Sequence, residues 1–542
     1  MESACSTTPS SNIERTEAGV DAMACTPRLA VPPPASPIDV SAIYPSPRLL
    51  TLDAPRARAR TACVDLSLAG APRVLARVPA LVSEAGLALV DTDCACDYAI
   101  RFDASEPVLP ADAATTWQQG VGHSERYALT VRIVQGQAQA RIFAASDRGI
   151  YYALRAALAL QTSDPDSPDT HLVPAATLVD YPDIDVRGVV DGVYSPNDIC
   201  DPASIYHLPL SPGERQSILG LMGRTRENTY IYAPKCDPYT RKIWRSPYPP
   251  GGPEEQVVKV AMHDAESELL DFFWAISPGE DYDFNNEDSE FATLMAKLDQ
   301  VRALGVTHFG LFLDDIPNYD AVSQAALVNR ADDYLQSKIP GHRLVIVGTT
   351  YCGKSGGDTN CGGPNAYTDT LGGLLHPGID IMWTGEAVEP GTMTAEDMTG
   401  INGSYGRKVT IWDNWPASIP GDLPGRSADL GTVISGYFTN PVLLEEPDPA
   451  YPVARLYEVI GPTADYLWAP IRYDAAVGES IQAWTAKLDM PACVPCSAKD
   501  VGWSCDLNNT RLIDFCDPAM FCQSVHACGG ACTGDAGKAT CP

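Results

Sequence analysis

Residues 307–315 read THFGLFLDD, an apolar run of strand length that ends on two adjacent carboxylates, Asp314 and Asp315. Working outward, seven more stretches have the same design: VRGVVDGVY (186–194), TYIYA (229–233), LDFFWAISP (270–278), RLVIVGTT (343–350), DIMWTGE (380–386), VTIWDN (409–414) and VISGYFTNP (433–441). Between them lie segments with apolar residues at helical spacing, such as SPGERQSILGLMG, EEQVVKVAMHDAESEL, SEFATLMAKLDQVRALG and DAVSQAALVNRADDYLQ. Eight strand–helix units in roughly 255 residues have the size and rhythm of a (β/α)8 TIM barrel, an α/β fold, expected here over residues 181–441.

An open doubly wound sheet would also alternate strands and helices. The polar residues favour the barrel. Asp191, Lys235, Ser277, Asp314, Asp315, Tyr351, Thr384, Asp413 and Asn414 all fall at C-terminal strand ends, where barrel enzymes assemble a site from several strands.

The rest of the chain divides by composition. Residues 1–40 are rich in Ser, Thr and Pro and read as a flexible linker or anchor region. Residues 41–180 alternate strand-like stretches (YALTVRIV, QARIFAA) with helical ones (VPALVSEAG, GIYYALRAALALQ), the pattern of a small α+β accessory domain. A helical segment is expected over 442–490, from PVARLYEVIG and SIQAWTAKLD, and a Cys-rich tail over 491–542.

Seventeen cysteines are many for a reducing compartment, and Cys493, Cys496, Cys505, Cys516, Cys522, Cys528, Cys532 and Cys541 crowd the tail. Cys493 and Cys496 have CxxC spacing, but no second CxxC or HxxxH follows at finger-like spacing, so disulfides are expected rather than zinc. The expected location is extracellular or at the cell envelope. Ser3, Ala4 and Cys5 offer a faint match to the end of a lipoprotein signal, although the start lacks basic and apolar regions. A net charge of -31 would repel nucleic acid and anionic membranes, and no apolar run reaches the length of a membrane span. Neither sequence nor spacing names a partner for the tail.

Adjacent residues of a strand point to opposite faces, but where the strand ends and the chain turns both can reach one pocket. Two like charges so placed should push one pKa upward, leaving a proton donor beside an anion, which is what glycosidic cleavage needs. A solvated loop or a helix cap is the plain alternative for Asp-Asp, and strand placement weakens it. Metal binding is a further alternative, but no third carboxylate or histidine has ligand placement, and no metal or cofactor is expected.

Several ordered blocks carry a family resemblance: RGVVDGVYSP (187–196), ENTYIYAPKCDPY (227–239), FFWAISPGEDYDF (272–284), LFLDDI (311–316), MWTGEAV (382–388), VTIWDNWP (409–416) and SGYFTNP (435–441). In them the chain resembles glycoside hydrolase family 84, the O-GlcNAcase and bacterial hyaluronidase-like β-N-acetylglucosaminidases. The resemblance implies retaining, substrate-assisted cleavage of terminal β-linked N-acetylglucosamine. In that scheme the 2-acetamido oxygen attacks the anomeric carbon, giving an oxazoline. Asp314 would orient and polarise the acetamido N–H, and Asp315 would protonate the leaving oxygen and then activate water.

Residue by residue, the resemblance gives Gly192 close backbone approach to the sugar and Lys235 hydrogen bonds to its hydroxyls. It places Tyr351 beside the oxazoline oxygen, although the family lead-in Pro-Thr-Glu-Tyr is here Gly348-Thr349-Thr350-Tyr351. Thr384 and Val388 would line the acetamido methyl pocket, Trp412 would form its wall, and Asn414 and Asn440 would bind the acetamide and ring hydroxyls. Alone, Thr384, Val388 and Trp412 would more often be barrel packing than site, since buried β-branched and aromatic residues dominate barrels. Asp191 stands where the family has Glu, and Ile419 where it has a sugar-binding Asp, with Asp422 nearby as a substitute. In residues 41–180, SDRGIYYALRAALALQ resembles the helix closing the module before the barrel in bacterial members. Two other functions stay open at this point: a catalytically silent carbohydrate-binding protein, and the same mechanism on another amino sugar or a hyaluronan-type polymer.

Overall fold

The computed structural model describes residues 43–192, 212–354, 360–414, 425–441 and 452–473, apart from positions 93, 236 and 280. Residues 1–40, the helix expected at SIQAWTAKLD and the Cys-rich tail lie outside the described residues, as do Ile419 and Asp422.

Eight parallel strands close into a barrel: Arg187–Asp191, Thr229–Tyr232, Asp271–Ile276, His308–Phe312, Leu344–Val347, Asp380–Trp383, Thr410–Asp413 and Gly436–Thr439, the last pairing with the first. Each lies within one of the eight stretches read from the sequence. Side chains alternate across the barrel wall. Val190, Ile231, Phe273, Phe312, Val347, Met382, Trp412 and Phe438 pack together in one cluster inside. The intervening Val189, Tyr230, Trp274, Leu311, Ile346, Trp383, Ile411 and Tyr437 pack outward against the surrounding helices. Burial on both faces explains why the strands read as unbroken apolar runs rather than as alternations.

Helices Pro212–Thr225, Pro253–Ser267, Glu287–Ala303 and Ala321–Lys338 fall where the apolar spacing placed them. Two more, Ala366–Leu374 and Ala395–Tyr405, carry glycines and little apolar periodicity. Their starts are set by capping boxes on Asn365 and Thr394, whose side chains satisfy backbone N–H groups that have no partner within the helix.

Ahead of the barrel, strands Leu49–Ala59, Ser167–Asp180, Tyr127–Val134, Gln137–Ala144, Tyr98–Phe102, Thr61–Asp65 and Ala88–Leu89 lie side by side in that order, and Thr162–Asp164 adds to Ser167–Asp180. Helix Asp147–Ala159 is buried against this sheet and also faces the barrel: Arg148 binds Asp271 (2.6 Å) and Arg155 binds Glu268 (3.0 Å).

Asp180 joins three parts of the molecule. It accepts from Arg226 of the barrel (2.5 Å), Trp468 at the end of helix Pro452–Trp468 (2.9 Å) and Tyr127 of the small sheet (3.2 Å), and it is fully buried. Asp180→Ala would strand the buried Arg226 guanidinium, so chemical denaturation should show a loss of about 3 kcal/mol. A loss below about 1 kcal/mol would mean that water reaches this joint.

Candidate active site

The fourth barrel strand ends at Phe312, and Leu313 is still tied to Val347 by its N–H (2.9 Å). Strand alternation puts Asp314 in phase with inward Phe312. At Asp315 the chain swings into the left-handed region, φ 58°, where Asp is tolerated better than most side chains. This turn keeps the second carboxylate at the barrel mouth instead of sending it outward with Leu313. Thr349 fixes the turn from the fifth strand: its hydroxyl lies 2.8 Å from the Asn318 carbonyl and 3.2 Å from that of Leu313, and Gln324 donates to it (2.7 Å).

The two carboxylates have different surroundings. Asp314 Oδ2 accepts from Lys235 Nζ at 2.8 Å, and both side chains are about nine-tenths buried. Burial is the largest single influence and raises the Asp314 pKa, but the charge and hydrogen bond of Lys235, with the Arg241 charge and a backbone hydrogen bond, together hold the carboxyl below the usual range. The expected upward push on one member of the pair is therefore not seen at Asp314, where Lys235 supplies the largest charge effect. The other oxygen, Oδ1, is buried and has no hydrogen-bond partner among the described residues. Asp315 is exposed, and its Oδ1 accepts from the Tyr351 hydroxyl (2.8 Å) and from Asn360 Nδ2 (3.0 Å).

The remaining expected residues line the same end of the barrel. Tyr351 and Trp412 belong to the inner cluster, with Val388 packed on it. Asn414 Oδ1 accepts from Trp412 Nε1 (2.7 Å) and from Asn440 Nδ2 (2.7 Å), while its amide donates to the Val388 carbonyl (2.8 Å). Trp412, Val388, Asn414 and Asn440 therefore form one connected wall. Thr384 donates to the Ala387 carbonyl (2.8 Å), which folds the stretch leading to Val388. A Cβ added at Gly192 would lie 2.6 Å from Asn440 Oδ1, so packing against Asn440 already requires glycine here. That Asn440 oxygen is buried and, like Asp314 Oδ1, has no hydrogen-bond partner among the described residues.

Two strand-end carboxylates are not part of this group. Asp191 and Asp413 follow the outward phase, where Arg215 (2.8 Å) and Arg426 (2.6 Å) meet them in buried ion pairs, with Tyr230 and Tyr437 donating as well. Sequence reasoning also missed Asn360. The spacing of Cys352 and Cys361 in CGKSGGDTNCGG was its available signal: the two cysteines form a disulfide, as do Cys63 and Cys96. Among the described residues, Asp332, Asp333 and His376 could offer ligand atoms to a metal ion. They lie near the N-terminal end of the sixth strand, opposite the carboxylate pair, and Asp332 already holds His342 and His376 (2.9 and 2.8 Å). No helix of the described residues is long and apolar enough to cross a membrane.

Residues 204–493 match the family model described as beta-N-acetylglucosaminidase. The chain is 30% identical to Protein O-GlcNAcase of Mus musculus over 276 residues, 47% of this chain and 28% of the mouse protein. The Rattus norvegicus protein of the same name is 30% identical over 272 residues, with the same shares covered. The chain thus spans little more than a quarter of these relatives. Among solved structures, CpGH84B superposes with a TM-score of 0.63 at 23% identity, covering 81% of this chain and 73% of that one. CpGH84D gives 0.62 at 21%, covering 82% and 72%. These two carry the fold, and the match over 204–493 carries the family: the chain belongs to the β-N-acetylglucosaminidases of glycoside hydrolase family 84.

Proposed function

We propose that the chain is an exo-acting β-N-acetylglucosaminidase that removes terminal β-linked N-acetylglucosamine by retaining, substrate-assisted catalysis. The observation that carries this reading is Asp314: a buried carboxylate kept ionised by Lys235, with Oδ1 lacking a partner beside the exposed Asp315. A buried anionic oxygen without a donor is costly unless a ligand supplies one, and an acetamido N–H is such a donor.

In the first step the acetamido oxygen forms a bond to the anomeric carbon as the glycosidic C–O bond breaks. The departing oxygen keeps the bonding pair and takes the proton of Asp315, and Asp314 stabilises the charge developing on the acetamido nitrogen. Water then attacks the same carbon, its proton passes to Asp315, and the C–O bond of the oxazoline reopens. No protein nucleophile is needed, which distinguishes this pair from the two carboxylates about 5 Å apart in ordinary retaining enzymes. Gly192, Lys235, Tyr351, Thr384, Val388, Trp412, Asn414 and Asn440 are proposed to hold the sugar, and the unpartnered Asn440 Oδ1 supports a hydroxyl contact at that end of the wall.

Ile419, where the family has an Asp, supports a second reading: the same chemistry on a different amino sugar. The disulfides are compatible with action outside the reducing cytoplasm. Incubation with an aryl β-N-acetylglucosaminide tests the main reading. Release of the aryl group with the β anomer as first sugar product, seen by proton NMR, is expected. An α anomer would exclude retention, and faster release from the galactosaminide would favour the second reading.

A further inference from the structure

Resting on the glycosidase reading, we propose that Asn360 is a positioning residue for Asp315, held in place by the Cys352–Cys361 disulfide and by Tyr319. Both hydrogen bonds found on Asp315 fall on one oxygen, Oδ1: Tyr351 at 2.8 Å and Asn360 at 3.0 Å. An oxygen receiving two N–H or O–H donors is poorly placed to carry a proton itself. The acidic proton therefore sits on Oδ2, and the transferable proton has one defined position.

The orientation of the Asn360 amide follows from its neighbours. Its Oδ1 accepts from the Tyr319 hydroxyl at 3.0 Å, and an ionised carboxylate can only accept, so Nδ2 must face Asp315. Its backbone is fixed next to Tyr351. The Asn360 carbonyl accepts from the N–H groups of Tyr351 (2.9 Å) and Cys352 (3.1 Å), and Cys361 bonds covalently to Cys352. The two donors to Asp315 thus come from chain segments that are bonded to each other. Asn360 is 45 residues from Asp315 in sequence, so without this joint little would hold it there.

If Asn360 fixes where the Asp315 proton sits, its loss should impair proton delivery and leave sugar binding intact. Asn360→Ala should lower kcat about tenfold on glycosides with poor leaving groups and about twofold or less on acidic phenols, with KM unchanged, so that the leaving-group dependence steepens. Tyr319→Phe, an exposed change, should give a smaller steepening, and Cys352→Ser/Cys361→Ser one approaching that of Asn360→Ala. With aspartate carboxyl carbons labelled, NMR of the whole chain at one fixed pH should show the Asp315 signal, the one absent from Asp315→Asn, displaced in Asn360→Ala. An undisplaced signal or an unchanged leaving-group dependence in Asn360→Ala would overturn the proposal, and an unchanged dependence in the cysteine double variant would overturn the disulfide's part. Failure of the parent to cleave the glycoside would sink the glycosidase reading instead, and the Asp315 signal would still decide the placement of Asn360.

Discussion

Asp315→Ala should lose activity by roughly a thousandfold on glycosides with poor leaving groups such as a sugar or an alcohol, the usual worth of a general acid. On aryl glycosides with acidic phenols the first step needs little protonation, so the loss should shrink to about tenfold or less, with deglycosylation limiting. The check is kcat/KM across a series of leaving groups, plotted against the pKa of the departing alcohol or phenol. The parent should show a shallow dependence and the variant a steep one. Parallel lines, with equal loss on every substrate, would show that Asp315 does not deliver the proton. Asp315 is exposed, but its left-handed backbone suits Ala less well than Asp, so denaturation should show a loss of about 1 kcal/mol, and Asp315→Asn, which fits that backbone, should reproduce the kinetic pattern.

The barrel was legible because each strand is buried on both faces and so reads as an apolar run, while the longer helices keep one apolar stripe. Helices Ala366–Leu374 and Ala395–Tyr405 were not, because Gly and polar residues interrupt the stripe and capping starts them instead. Within the site, Asp314 and Asp315 could be picked out because both lie on one strand end. Their partners could not be read the same way: Lys235 is 79 residues from Asp314, and Asn360 is 45 from Asp315. Asp191 and Asp413 looked equivalent to Asp314 in sequence. Strand phase separates them, since outward carboxylates meet Arg215 and Arg426 in the helix layer.

These pairings also change the electrostatic picture of the site. Two adjacent like charges alone would share one proton with no fixed owner. Lys235 breaks that symmetry by holding Asp314 ionised, which leaves the exposed Asp315 for the proposed role of proton donor. Environments that differ in this way divide an acid and a base between two carboxylates.

Replacing Asp314 tests the other half of this division. Asp314→Asn keeps the shape but loses the charge that would stabilise the developing oxazolinium, so kcat should fall by about a hundred- to a thousandfold. The fall should be the same for good and poor leaving groups, the reverse of the Asp315→Ala pattern, because ring formation precedes or accompanies every departure. A loss below about tenfold on aryl glycosides would contradict the assignment. Lys235→Met supplies the pH version of the same test. In the parent, Asp314 is ionised down to below the usual carboxylate range, so the acid limb of kcat/KM should lie low. Without the ammonium, burial is opposed only by the Arg241 charge and a backbone hydrogen bond, so the Asp314 pKa should rise and the variant should lose activity at a higher pH as the medium is acidified. An acid limb that stays in place would mean that Lys235 does not govern the ionisation of Asp314, and that its 2.8 Å contact serves the sugar instead.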